Sequence, residues 1–300
     1  MKTIIFGAGS DLGVHIDGAK LGPIQLMNDI KGFYKGESIV LSQNEQIIKS
    51  KNLSDRRKNE YEIDEFNATL YKIMLEKMKE NYFPILIGGD HSISIASALA
   101  CAKANGDIGI IWIDGSADYN TFKTTTTGNM HGLPLATING YDNQELKTFH
   151  DGKIIQTSKT VVVGARSIEE AEKENIRYSN ITVFTTKDIK EKGIEAVMEE
   201  AFEIAGYKTS GIHISYDLGV IDPDIAPGIS APKFDGLTEA EAMKINECII
   251  KHINDVLSYD LVEFNPLRDQ NRKTEQIAVN LLAQIIKAGE NKNKWKKTIY

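Results

Sequence analysis

Short apolar runs separated by longer amphipathic stretches dominate this chain, and that alternation restricts the folds open to it. The runs are TIIFG (3–7), SIVLS (38–42), PILIGG (84–89), IGIIWID (108–114), VVVGA (161–165), ITVF (181–184), GIHISYD (211–217) and LVEF (261–264). Several are apolar on both faces, as strands are when helices cover each side of a parallel sheet. Between them lie stretches of helical period, such as EFNATLYKIMLEKMKE (65–80) and TEQIAVNLLAQIIKAG (274–289). In the second, Ile277, Leu281, Ile285 and Ile286 fall on one helical face. The alternation predicts an α/β protein with three layers, α/β/α. No composition shift, linker or internal repeat divides the chain, so 1–300 reads as a single domain. KSKNLSDRRKNE (49–60) and TFKTTTTGN (121–129) read as loops.

Charge and composition exclude several function classes. Lys and Arg number 35 against 42 Asp and Glu, a formal net charge of -7. No concentrated basic face suggests nucleic acid, and the basic stretch KNKWKK (292–297) reads as a solvated C-terminus. No apolar run approaches the roughly 18 residues of a membrane span. The N-terminal MKTIIFGAGSD is too short in its apolar part for a signal peptide and reads as a first strand. The expected location is the cytoplasm. Cys101 and Cys248 stand far apart in helical-looking segments and read as buried thiols, not a disulfide framework.

In an open parallel sheet, ligands bind beyond the carboxyl ends of the strands. Ionisable residues collect there. Asp90 and His91 follow PILIGG; Asp114 ends its run, with Ser116 and Asp118 just beyond; Arg166 follows VVVGA; Asp217 ends GIHISYD, with Asp222 and Asp224 after it; Glu263 lies in the last run. One histidine and several aspartates suit manganese, magnesium or zinc. Carboxylates gathered at one point repel, and each has its pKa raised unless a cation neutralises them. The pattern therefore predicts a metal site or an acid/base centre.

Other signals have plainer readings. GAGSDLG (7–13) departs from the dinucleotide fingerprint and reads as a tight turn near the sheet edge. His213 lies inside a strand and reads as a hydrogen-bonded core residue; His15, His150 and His252 read as surface residues. His131, in GNMHG, fits a surface loop or a proton shuttle. Arg166 reads as structural.

Four segments resemble the ureohydrolases, the arginase and agmatinase family, and look most like bacterial arginases. They are GGDHSISIASA (88–98), WIDGSADYNTFKTTTTGNMHGLP (112–134), SYDLGVIDPDIAPGISAPKFDGLT (215–238) and LVEFNPLRDQNRKT (261–274). GAKLGPIQL (18–26) resembles the family's opening helix. The resemblance implies an eight-stranded parallel α/β/α fold and a hydroxide-bridged manganese pair that hydrolyses L-arginine to ornithine and urea. It implies metal ligation by His91, Asp114, Asp118 and Asp217, proton shuttling by His131, and guanidinium binding by Glu263. Asn120 and Thr127 match residues that bind the α-carboxylate, and Glu169 one that meets the α-amino group. It further implies a small guanidino or amino-acid ligand and a homo-oligomer, trimer or hexamer.

Two positions depart from the family pattern. The family reads Asp-x-His-x-Asp where this chain has Asp114-Gly115-Ser116-Ala117-Asp118, and Asp-x-Asp where it has Asp217-Leu218-Gly219. Both missing ligands belong to the same ion of the pair. The expectation is one Mn2+ ion or none, with the second site empty. Three aspartates with one divalent ion leave about one net negative charge. The chain is then expected to be a weak or inactive arginase homologue with a binding or regulatory role. The alternatives are an active single-metal hydrolase of arginine, agmatine or another guanidino or amidino compound, and a structural role without a ligand.

Overall fold

The computed structural model describes residues 1–50, 52 and 54–292. Eight strands form one sheet: β1 (Lys2–Gly9), β2 (Glu37–Ser42), β3 (Tyr82–Gly88), β4 (Gly109–Ile113), β5 (Thr160–Ala165), β6 (Thr182–Thr185), β7 (Ile212–Asp217) and β8 (Val256–Val262). Their order is β2-β1-β3-β8-β7-β4-β5-β6, and every neighbouring pair is parallel. The α/β/α reading of the sequence therefore holds. Of the basic stretch at 292–297, only Lys292 is among the described residues.

The helices are α1 (Gly22–Ile30), α2 (Glu60–Lys79), α3 (Ser94–Asn105), α4 (Pro134–Ile138), α5 (Glu170–Ser179), α6 (Thr186–Lys192), α7 (Ile194–Gly206), α8 (Glu239–Lys251) and α9 (Lys273–Asn291). Two hydrophobic cores lie on opposite faces of the sheet. One joins α1, α7, α8 and α9, through residues such as Leu26, Met198, Ile245 and Leu281, to Ile5, Ile111 and Ile113. The other joins α2, α3 and α4, through Phe66, Leu99 and Leu135, to Ile4, Phe6, Ile110 and Trp112. Successive strand residues thus feed alternate cores, as the period of two requires. No helix among the described residues is long and apolar enough to cross a membrane. Cys101 in α3 and Cys248 in α8 are both buried free thiols.

The eighth run was legible only in part. The sequence marked LVEF at 261–264, but the strand starts at Val256 and stops before Glu263. Its first half is disguised by Ser258 and Asp260, polar residues that are nonetheless fully buried. Both serve His213 on the neighbouring strand: Nδ1 lies 2.7 Å from Ser258 Oγ and Nε2 lies 3.3 Å from Asp260 Oδ2. Ser97 of α3 also donates to Asp260. His213 is the hydrogen-bonded core residue the sequence suggested.

Burial pulls the His213 pKa down, but the Asp260 carboxylate outweighs it and lifts the imidazole to about 9. A histidine raised above its unfolded value of about 6.5 stabilises fully below that pH, and the contribution is lost as pH rises through 9. Urea unfolding at several pH values should show wild-type stability declining across that window. His213→Gln should cost about 3 kcal/mol, because Asp260 is left buried and unpaired, and should flatten the decline. A variant whose pH profile parallels wild type contradicts the pairing.

Candidate metal centre

Four strands adjacent in the sheet, β3, β8, β7 and β4, end beside one another. Just past β3, Gly89 turns the chain: a Cβ there would meet the Ser10 carbonyl oxygen at 1.8 Å. The Asp90 side chain then caps the next turn through the Ser92 N–H and accepts from the Gly13 N–H at 2.9 Å. Of the GAGSDLG segment read as a tight turn, Gly7–Gly9 instead end β1, and the chain turns only beyond it, where the Val14 N–H meets the Asp11 carbonyl at 3.5 Å. Its Gly13 carbonyl also accepts from the His131 N–H at 3.0 Å.

His91 is fully buried and its ring stacks on Trp112, with centroids 3.8 Å apart. Nε2 lies 2.8 Å from Ser215 Oγ, which donates in turn to Ser94 Oγ. Ser215 accepts from Nε2–H; burial works against charge on the ring, but Asp114, Asp118 and Asp217 outweigh it and lift the His91 pKa well above its usual value, so without a cation Nδ1 carries a proton. Nδ1 is buried without a hydrogen-bond partner. It faces Asp118 Oδ2 at 3.1 Å, Asp114 Oδ2 at 3.4 Å and Asp217 Oδ2 at 3.6 Å. An imidazole nitrogen facing three carboxylate oxygens is a donor set that could hold a divalent cation, which would take the place of the Nδ1 proton. His91, Asp114 and Asp118 bring ligand atoms within 4.8 Å of one another; Asp217 lies just outside that group.

Two carboxylates sit on backbone that L-residues rarely adopt. Asp118 has φ 51° and Glu263 φ 71°. Such conformations cost about 1–3 kcal/mol each and persist where hydrogen bonds fix them. The Leu135 N–H donates to the Asp118 carbonyl at 3.1 Å, and the Glu263 N–H to the Gly89 carbonyl at 2.7 Å. Glu263 Oε1 accepts from the His91 N–H at 2.9 Å and lies 3.1 Å from His131 Nδ1. Burial lowers the His131 pKa, but Glu263 outweighs it and raises the ring to about 9. Glu263 Oε2 is buried without a partner.

Ser116 and Gly219 shape the other side. Ser116 Oγ lies 3.0 Å from Asp114 Oδ2 and 2.8 Å from Asp118 Oδ1. The hydroxyl bridges the two carboxyls. Gly219 N–H donates to Asp217 Oδ1 at 2.5 Å. A Cβ at Gly219 would come within 2.9 Å of that same oxygen.

Burial raises Asp217 to about 7, helped by the charge of Asp114. Burial and Asp114 raise Asp118 as well. Asp114 goes the other way: burial works against its charge, but Lys233, His91 and the Ser116 N–H outweigh it and hold it below the usual range.

Arg166 acts on backbone alone. Its guanidinium donates to the carbonyls of Gly219 (2.9 Å), Val220 (3.0 Å), Lys233 (2.7 Å) and Phe234 (2.9 Å). It pins the loop after β7 to the returning segment near 233, which is the structural role expected.

The profile of the arginase family matches residues 1–287. The chain belongs to the arginase family. It is 31% identical to the arginase of Bacillus subtilis (strain 168) over 295 residues, 95% of this chain and 98% of that one. It is 34% identical to the arginase of Bacillus caldovelox over 231 residues, 77% of each chain. The solved structure of the Bacillus caldovelox arginase superposes with a TM-score of 0.88, covering 95% of this chain and 98% of that one.

Within this arginase-family fold, His91, Asp114, Asp118, Asp217, His131 and Glu263 come together. Asp222 and Asp224 do not, although both follow the same strand. Asp222 instead accepts from Asp224 N–H and Gly236 N–H, closing a turn. Asn120, Thr127 and Glu169 lie on the loops around the cluster. Asn120 accepts from Thr124 Oγ1 at 3.0 Å, Thr127 Oγ1 accepts from Asn129 N–H at 3.1 Å, and Glu169 Oε1 accepts from Thr126 Oγ1 at 2.6 Å. Glu169 Oε2 is buried and unpartnered. The loop at 49–60 is tied to the same region: Lys58 donates to the Thr127 carbonyl and Asn59 to the Leu12 carbonyl.

Sequence reasoning missed Ser215, which fixes the His91 tautomer, and Lys233, whose ammonium faces the carboxylates. Ser215 carried no signal, being one small polar residue within a buried strand. Lys233 did carry one: a lone cation inside a motif otherwise rich in acid and glycine.

Arg166→Lys should expose the clamp. A single ammonium cannot reach four carbonyls in fork geometry, so urea denaturation should show a loss of about 2–4 kcal/mol. Unchanged stability contradicts the assignment.

Proposed function

We propose that this protein is a single-domain arginase-family scaffold that holds one divalent cation, manganese, at His91, Asp114, Asp118 and Asp217. We infer further that its hydrolysis of L-arginine to ornithine and urea is weak or absent. The observation that carries this reading is the engagement of Ser116 Oγ with both Asp114 and Asp118, beside a position 219 that offers no side chain. A hydroxyl is a poor neutral ligand, and losing ligands weakens a metal site far more than the 10–100-fold typical of their supporting partners.

Bound at His91, the cation supplies positive charge and lowers the pKa of water. The chain's own groups do the rest. Ser215 orients the His91 ring. Glu263 presents Oε2 to a guanidino group, and His131, held by Glu263, moves a proton at Nδ1 or Nε2. We assign Asn120, Thr127 and Glu169 to the amino-acid end of a ligand, from their match to the family pattern. We take the ligand to be a small guanidino compound or amino acid, the location to be the cytoplasm, and the assembly to be a homo-oligomer, trimer or hexamer.

A second reading is an active single-metal hydrolase of arginine, agmatine or another guanidino or amidino compound. The His131–Glu263 contact at 3.1 Å favours it, because a binding scaffold has no chemical need of a proton relay.

Metal analysis and a urea assay at saturating manganese separate the readings. The expected result is one ion per chain and urea release at least about a hundredfold below that of the Bacillus subtilis arginase assayed beside it. One ion with comparable turnover selects the second reading. Two ions per chain contradict both. The double variant Ser116→His with Gly219→Asp should gain a second ion; no gain means that the ligand register is misassigned.

A further inference from the structure

Three aspartates facing one divalent ion leave one negative charge uncompensated in a buried site, and buried charge is costly unless paired. Something else in the chain must answer it. Lys233 lines the same small cavity as Ser116, Asp118, His131, Asp217, Gly219 and Glu263. Its side chain is partly buried.

The position is built, not incidental. Arg166 grips the Lys233 carbonyl at 2.7 Å and the Gly219 carbonyl at 2.9 Å with the same Nη2. That one guanidinium therefore holds the lysine against the residue where a ligand is missing. The segment is anchored again where Ile221 pairs with Leu237 and Gly236 N–H meets Asp222 Oδ2 at 3.0 Å. No carboxylate oxygen among the described residues comes within 4.0 Å of the ammonium. It acts at longer range, as a charge and not as a direct partner.

The electrostatics agree. Burial alone would lower the Lys233 pKa, yet Asp114, Asp118, Asp217 and Glu263 outweigh it and keep the ammonium charged.

We propose that the Lys233 ammonium is the second cation of this centre, a covalently tethered positive charge facing the half that Ser116 and Gly219 leave without ligands. This inference rests on the one-ion reading above. One divalent ion and one ammonium neutralise the three aspartates, while the buried Glu263 is matched by His131. A second manganese ion would meet both a deficit of ligands and a like charge.

The test uses the full chain as wild type, Lys233→Met and Lys233→Arg. Manganese binding is titrated calorimetrically, and metal-free protein is melted in parallel. Removing the charge should do two opposite things. Lys233→Met should bind manganese about tenfold more tightly, since a like charge has gone, and its metal-free form should melt at a lower temperature than wild type. Lys233→Arg should behave as wild type in both. A residue that only fills space would leave manganese affinity unchanged or weaken it. Equal manganese binding by wild type and Lys233→Met, including none by either, overturns the inference and leaves the one-ion reading standing or falling on the wild-type ion count. Two ions on the wild type overturn that reading, and this inference with it.

Discussion

Mutual repulsion among Asp114, Asp118, Asp217 and Glu263 is the constraint from which the rest of the site follows. These residues are nearly dry, with exposures of 0%, 5%, 6% and 3%, so each charge acts through little solvent screening. The protein answers in several ways at once. His131 pairs with Glu263. The Ser116 hydroxyl and N–H both reach Asp114. Gly219 N–H donates to Asp217. What remains is a His91 nitrogen facing three carboxylate oxygens, where a proton or a cation answers their charge, and the Lys233 ammonium on the wall of the same cavity.

Sheet topology makes the convergence possible. The four strand ends that carry His91, Glu263, Asp217 and Asp114 are neighbours in the order β3-β8-β7-β4 although they come from opposite halves of the chain. Two fully packed helical layers hold the sheet rigid, and rigidity lets Asp118 and Glu263 be kept in left-handed backbone conformations. Arg166 carries this order beyond the sheet. By binding carbonyls from two separate segments it fixes the backbone at Lys233 beside that at Gly219.

Much of this was legible in the sequence because burial on both faces leaves an apolar signature. Seven of the eight apolar runs matched strands to within two residues at either end. The eighth was cut short because Ser258 and Asp260 are buried to serve His213, and a polar residue that is satisfied internally looks, in sequence, like an exposed one. Strand-end acids marked the site, but the same rule swept in Asp222 and Asp224, which close a turn. Sequence spacing cannot separate a carboxylate that points inward from one that caps the next bend. Ser116 and Gly219 were visible as departures from the arginase pattern. Lys233 stood out as a lone cation in its motif, but its meaning depends on a fold that places position 233 in one cavity with positions 116 and 219.

The family membership fixes the scaffold, and the departures within it bear on how the charge is balanced. In this account, a binuclear centre has been exchanged for a mixed one, part metal and part side chain. The most direct measurement is an anomalous difference map from crystals of the wild-type protein grown with manganese. The account predicts one peak, bounded by His91 Nδ1, Asp114, Asp118 and Asp217, with the Lys233 side chain ordered on the far side of the cavity. Two peaks bridged by Asp114 and Asp217, with Lys233 turned out to solvent, would contradict it.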